Sequence, residues 1–249
     1  MNKQLVNFTD LGIIAYKSAW DKQEELVQQN IAVKSELRRR LQLQNNGVEN
    51  IFPTSENEIV TTTNYLLFCE HPPVYTLGKS GSMQNVLLSE AEMEEREIDF
   101  FKTNRGGDIT FHGLQQVVGY PILDLEKFYT DIGKYLRDLE EVIIKTIAEY
   151  GIKGARSKGE TGVWIEPFVR GKERKICAMG IRCSRWITMH GFALNVNTDL
   201  SYFKNIIPCG IQNKQVTSIE KELNKKIDLE EVKQKLKNNF EKIFGVTII

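Results

Sequence analysis

Two apolar runs flanking one short turn constrain this chain more than anything else in it. They are residues 176–183 and 187–196, on either side of Ser184-Arg185-Trp186. In the first run Cys177, Met179, Ile181 and Cys183 fall on alternate positions. Alternation with period two puts them on one face of a strand. Two such runs joined by so short a link predict an antiparallel hairpin. Cys177 and Cys183 then belong to a packed face, where a free cysteine behaves as a small hydrophobe. Cys69, which follows Leu66-Leu67-Phe68, reads the same way.

The rest of the chain supplies more strands and several helices. Ile13, Tyr16, Ala19, Trp20, Leu26, Val27 and Ile31 are spaced by threes and fours and predict an amphipathic helix over 13–31. Residues 32–60 are polar, with Asn45-Asn46-Gly47 and Pro53, and read as a helix extension followed by an exposed excursion within one domain. Short strands are predicted at 65–69, 74–77 and 162–166, and a further one at 117–125 interrupted by Pro121, which lacks a backbone donor. Residues 90–98 read as a short acidic helix. Residues 132–150 form the clearest helix, with Leu136, Leu139, Ile143 and Ile147 on one stripe and Gly151 as its stop. Thr217 with Glu220 fits a capping box, and Asp228 with Glu231 opens a final helix whose stripe is Leu229, Val232, Leu236, Phe240 and Ile243. The sum is an α+β chain: a mixed β-sheet domain with flanking helices and a small helical C-terminal piece, one domain over 1–249.

Composition narrows the function. The 249 residues carry 33 Lys+Arg against 33 Asp+Glu, so no net charge favours nucleic acid or an anionic membrane. No apolar run reaches the ~18–20 residues of a membrane span, and residues 1–10 lack a signal-peptide core; the expectation is a cytoplasmic protein. The four cysteines form no C-x-x-C pair, and with His71, His112 and His190 they repeat no ligand spacing, so neither a disulfide framework nor a metal site is expected.

Common catalytic motifs fail. There is no G-x-G-x-x-G or G-x-S-x-G, and Gly78-Lys79-Ser80 has Pro73 where a phosphate loop needs its first glycine. Three segments remain. Cys209, in Ile207-Pro208-Cys209-Gly210, either fills a turn or faces a cleft. A nucleophilic cysteine needs a nearby cation to hold its thiolate. Lys172, Arg174, Lys175, Arg105 and His190 could supply one, and Lys175 stands out because it opens an apolar strand. The run Arg105-Gly106-Gly107-Asp108-Ile109-Thr110-Phe111-His112-Gly113 is either a tight turn or a loop whose glycines let backbone approach a ligand.

Taken together these segments resemble the octanoyl-[acyl-carrier-protein]–protein transferases of lipoate biosynthesis. The resemblance rests on residues 105–113 followed by Tyr120-Pro121-Ile122-Leu123-Asp124-Leu125, on 175–182, on 185–200 ending in Pro208-Cys209-Gly210-Ile211, on 70–78 and on Asp10-Leu11-Gly12. It covers nearly the whole chain outside 32–60. It implies a fold akin to the catalytic domains of lipoate and biotin protein ligases. It also implies transfer of an octanoyl group from acyl carrier protein to a lysine of an apo lipoyl domain, in 2-oxoacid dehydrogenase complexes and the glycine cleavage H protein. By the same resemblance Cys209 is the nucleophile and Lys175 its partner. Arg105, Gly106, Gly107, Asp108, Ile109, Thr110, Phe111 and His112, with Ala178, Met179, Gly180, Gly191, Phe192 and Ala193, line the acyl cleft. No ATP, metal or organic cofactor is implied.

One departure stands beside that cleft. The family continues Pro-Gly-Gln after His112-Gly113, and this chain has Leu114-Gln115-Gln116. On the family's loop path Gln115 would take a positive φ at a cost of about 1–2 kcal/mol. The expectation is that it relaxes into a different turn and shifts His112 and Gly113. Two rival readings are a ligase of the same fold, which would need ATP and not Cys209, and a non-catalytic relative that binds acyl groups or lipoyl domains.

Overall fold

The computed structural model describes residues 3–45, 61–207 and 215–249. The elements in order are β1 (Gln4–Ile13), α1 (Tyr16–Asn45), β2 (Asn64–Glu70), β3 (Val74–Leu77), α2 (Glu90–Glu95), β4 (Asp99–Lys102), β5 (Ile109–His112), β6 (Gln116–Ile122) and α3 (Ile132–Ala148). They are followed by β7 (Gly154–Ser157), β8 (Glu160–Ile165), β9 (Arg174–Ser184), β10 (Ile187–Asn195), β11 (Gln215–Val216), α4 (Ile219–Leu223), α5 (Leu229–Phe244) and β12 (Val246–Ile248). Among the described residues the main sheet runs β12-β1-β2-β6-β10-β9-β8-β7, with β11 pairing β9. A smaller sheet has the order β4-β3-β5.

Alternation along the central strands sorts side chains to the two faces of the main sheet. Val117, Phe192 and Leu194 point into a core shared with Tyr135, Leu139 and Ile143 of α3 and Val232, Leu236 and Phe240 of α5. Val118, Tyr120, Met189 and Ala193 point to the other face, where Ala19, Leu26 and Val27 of α1 cover them. The smaller sheet has its own core of Tyr75, Ile109 and Phe111 against Phe203 and Ile206.

The hairpin is as the sequence predicts: Ile187 pairs Ser184, and the two linking residues, Arg185 and Trp186, both have positive φ, at 51° and 66°. Such a two-residue turn matches the right-handed twist of its strands. Helix α1 extends into residues 32–45 as expected, where buried Lys34 reaches Asp124 at 2.8 Å and Arg185 O at 2.9 Å. Other details differ. Ile13 belongs to a strand rather than to the helix. Pro121 does not interrupt β6. Pairing with β10 runs only to Gly119, so the missing donor takes no bond from that ladder. The cap of α4 is Ser218, whose hydroxyl accepts from Lys221 N, one residue later than the capping-box spacing implies. β1 and β12, which the sequence reading lacks, pair parallel at one edge of the main sheet.

Candidate active site

A cavity of about 490 Å³ lies between the central strands of the main sheet and the loop leading into β5. The loop is built first by its own backbone. Gly106 N donates to Ile181 O at 2.9 Å, Lys79 N to Arg105 O at 3.0 Å and Ser80 N to Gly107 O at 3.1 Å. Gly107 has φ +87°, a region glycine enters without a Cβ penalty. Gly180 is needed for a different reason: a Cβ there would stand 2.6 Å from Gly106 O. Without side chains at these points the loop can lie directly on β9.

Arg105 locks this arrangement. Its Nη2 donates to Thr76 O, Thr76 Oγ1 and Asp108 O, at 2.5, 2.9 and 2.9 Å, and Nη1 donates to Gly106 O at 3.0 Å. The terminal nitrogens are therefore engaged with the loop and β3.

Of the residues assigned to the cleft, Arg105, Gly106, Gly107, Asp108, Ile109, Thr110 and His112 line the cavity, as do Lys175, Ala178, Met179, Gly180, Gly191, Phe192 and Ala193. Phe111 does not. It alternates to the far side of β5 and stacks on Tyr202 at 4.6 Å, inside the core of the smaller sheet. Cys209 lies outside the described residues. Of the cysteines that are described, Cys69 and Cys177 are fully buried and Cys183 partly so, and burial pushes all three thiols up, away from the thiolate form.

Lys175 sits near the start of β9 between two partners, Trp164 of β8 and Val216 of β11. Its Nζ stands 4.6 Å from the Trp164 ring centroid, a cation–π contact. The same strand position is tied to the cavity by a polar relay. His112 faces Gln116 Oε1 at 2.9 Å; Gln116 Nε2 donates to Phe111 O and to Asn195 Oδ1, at 3.3 and 2.8 Å; Asn195 Nδ2 donates to Thr217 O at 3.0 Å. Because the Gln116 amide nitrogen is committed to two acceptors, its oxygen receives the Nδ1–H of His112. Burial, with His71 and Arg105 nearby, holds His112 well below the ordinary histidine range, so it is neutral.

Several cavity residues carry no sequence signal. Tyr16 comes from the first turn of α1, and Gln116 and Asn195 from buried strands. His190, one of the candidate cations, also lines the cavity, from β10 at φ +58°. Among the described residues no three His, Cys, Asp or Glu side chains group as metal ligands.

Leu114-Gln115 does not relax. Gln115 holds φ +62°, the conformation a glycine would take freely. Its N–H donates to Glu70 Oε2 at 2.6 Å, and its carbonyl accepts from Val196 N, Asn197 N and Thr198 Oγ1. Its side-chain oxygen accepts from Asn197 Nδ2 at 2.7 Å. Five hydrogen bonds of roughly 0.5–1.5 kcal/mol each outweigh the 1–2 kcal/mol of strain.

Comparison with known proteins agrees with this architecture. An octanoyltransferase of Christiangramia forsetii is 54% identical over 248 residues, covering 98% of this chain and 97% of its own. An octanoyltransferase of Flavobacterium psychrophilum is 54% identical, with both chains covered fully. Among solved structures, a bipartite lipoate protein ligase from Thermoplasma acidophilum superposes with a TM-score of 0.65 at 14% identity, over 100% of this chain and 86% of that one. A lipoate-protein ligase A bound with ATP gives 0.65 at 13% identity, over 100% and 90%. At those identities the structures speak for the fold alone. Residues 39–241 match the lipoyl protein ligase A/B catalytic domain, and the chain belongs to that family, its full-length relatives being octanoyltransferases.

Proposed function

We propose that this chain moves an octanoyl group from octanoyl-acyl carrier protein, through a thioester on Cys209, to the lysine of an apo lipoyl domain. The acceptors are the lipoyl domains of 2-oxoacid dehydrogenase complexes and the glycine cleavage H protein, and the setting is the cytoplasm. The observation that carries the reading is the cavity: a cation, Lys175, at one end of a floor made of Ala178, Gly180, Gly191 and Ala193. Small side chains leave room for an alkyl chain beside a group able to move protons.

The chemistry follows from those groups. Lys175 ammonium favours the Cys209 thiolate. The thiolate attacks the donor's carbonyl carbon, a C–S bond forms, the bond to pantetheine sulfur breaks, and the leaving thiolate takes a proton from Lys175. The acceptor lysine, as a neutral amine, then attacks the acyl-enzyme. Lys175, now neutral, accepts its proton as the Cys209 sulfur departs. An amide replaces a thioester, which drives the second half-reaction, and no ATP enters.

Support from the flanks is specific. Two residues before Cys209, Ile207 N donates to Asn85 O at 2.8 Å, and Asn85 Nδ2 donates to Asp108 of the cavity loop at 2.6 Å. Past it, Gln215 and Val216 pair with Arg174 and Lys175. The test is incubation with octanoyl-acyl carrier protein without ATP, followed by intact mass and peptide mapping. An octanoyl adduct on Cys209, lost in Cys209→Ala together with turnover, is expected. An adduct mapped elsewhere, or transfer that starts only when ATP is added, would overturn the proposal.

A further inference from the structure

We infer that His190 is the end wall of the acyl slot and limits the length of chain this protein accepts, an inference that rests on the acyl-transfer reading above. Strand register gives the cavity a direction. Lys175 stands at one end. Ala178 pairs Ala193, which in turn pairs Val118; Gly180 pairs Gly191; and Ile181 pairs His190 at the far end. Ile181 lies six positions beyond Lys175, about 20 Å of strand. The lysine side chain and the reacting carbonyl occupy the near part of it. The remainder is comparable with an extended eight-carbon chain, roughly 9–10 Å at ordinary C–C bond lengths. The floor is small or apolar up to the Gly180–Gly191 pair and changes abruptly to an imidazole.

That imidazole is held firmly. His190 N donates to Gln23 Oε1 at 2.9 Å, fixing a backbone already at φ +58°. Its Nε2 meets Asn104 Oδ1 at 2.7 Å; Asn104 Nδ2 donates to Glu24 Oε1 at 3.1 Å; and Glu24 is paired with Arg182 at 2.6 Å. The Trp20 ring packs behind at 6.1 Å between centroids. A chain two or four carbons longer can be seated only by displacing a ring that is hydrogen-bonded to Asn104 and backed by Trp20 of α1, on a backbone fixed by Gln23. Buried hydrogen bonds of this kind are expensive to leave unmade.

The test compares acyl carrier protein thioesters of eight, ten and twelve carbons in the unmodified protein, in His190→Gly and in His190→Asn. Both variants tolerate the positive φ and shorten the wall. The unmodified protein is expected to prefer octanoyl over dodecanoyl at least tenfold in kcat/KM, and the variants to narrow that ratio tenfold or more. Equal use of the eight- and twelve-carbon donors by the unmodified protein overturns the wall without recourse to any variant. So does an unchanged ratio in a variant that melts cooperatively. Failure of the acyl-transfer reading itself looks different: no thioester forms on Cys209 with any donor.

Discussion

Thr217 N–H donates to the Lys175 carbonyl at 2.9 Å, while the carbonyl of the same threonine is held by Asn195 Nδ2 at 3.0 Å. One residue thus joins the strand that carries the cavity's lysine to the relay that begins at His112. The placement of Lys175 is linked through two hydrogen bonds to a side chain on the neighbouring strand β10.

Asn195→Asp should expose that dependence. The variant keeps the acceptor that Gln116 needs and turns the donor facing Thr217 O into a second acceptor. Leaving that carbonyl unpaired costs about 1–3 kcal/mol. The expected result is a loss of ten- to a hundredfold in kcat with KM for the acyl donor changed less than threefold. A fall confined to KM would place Asn195 in binding rather than in holding β11.

Lys175→Ala is expected to slow acylation and to raise the apparent pKa of the Cys209 thiol, since a nearby cation favours the thiolate. Rates of thiol alkylation against pH report this directly, with Cys209→Ala as the blank. Superimposable profiles would reduce Lys175 to a strand residue stacked on Trp164.

Gln115→Gly removes a side chain from φ +62° and with it one exposed hydrogen bond to Asn197. Relief of strain outweighs that bond, so stability should rise by up to about 1 kcal/mol. Because the loop is already pinned by the Gln115 backbone, kcat/KM should stay within twofold, as it should for Leu114→Pro combined with Gln115→Gly. A tenfold gain in activity in either would mean that the native loop is misplaced.

Acid should destabilise the protein before its carboxylates titrate. Burial holds His71 down to about 4 and His190 to about 3, against 6.5 for an unperturbed imidazole. Above pH 6.5 both folded and unfolded chains carry these residues neutral. Below it the unfolded chain takes up protons that the folded one does not, so stability falls with pH through the window from 6.5 to about 4 for His71 and to about 3 for His190. The slope is up to roughly 1.4 kcal/mol per pH unit for each. Urea midpoints from pH 7.5 to 5 should drop accordingly; a flat line across that range would contradict the burial of these rings.

Sequence patterns were most informative where neighbours in the chain are neighbours in space. The hairpin over 176–196 and helix α3 follow from period two and period 3.6, and the helix is closed by Gly151 as its composition implies. The Lys175 strand and most of the cleft residues were visible because they lie in compact motifs. What escaped depends on distant partners. β1 alternates poorly, with Asn7, Thr9 and Asp10 among its side chains, and becomes a strand because β2 and β12 pair with it. Phe111 looked like a cleft residue because its neighbours Thr110 and His112 are; the pleat sends it to the opposite face. Tyr16 and Asn195 join the cavity only once α1 is laid across the sheet and β11 is docked on β9. Gln115 keeps its positive φ because five hydrogen bonds from remote segments outweigh a local steric rule.

The pairing of Gln4, Leu5 and Val6 with Val246, Thr247 and Ile248 also bears on the order in which the protein takes shape. Strands β9 and β10 meet across a two-residue link, and β6 pairs with β10 over a separation of 73–79 positions, far shorter than that of the sheet's outer edge. The β1–β12 edge requires residues some 240 positions apart to find each other, and such distant pairings are the slow ones. By that measure the β1–β12 edge is expected to close after the β6–β10–β9 strands that carry the cavity floor have paired.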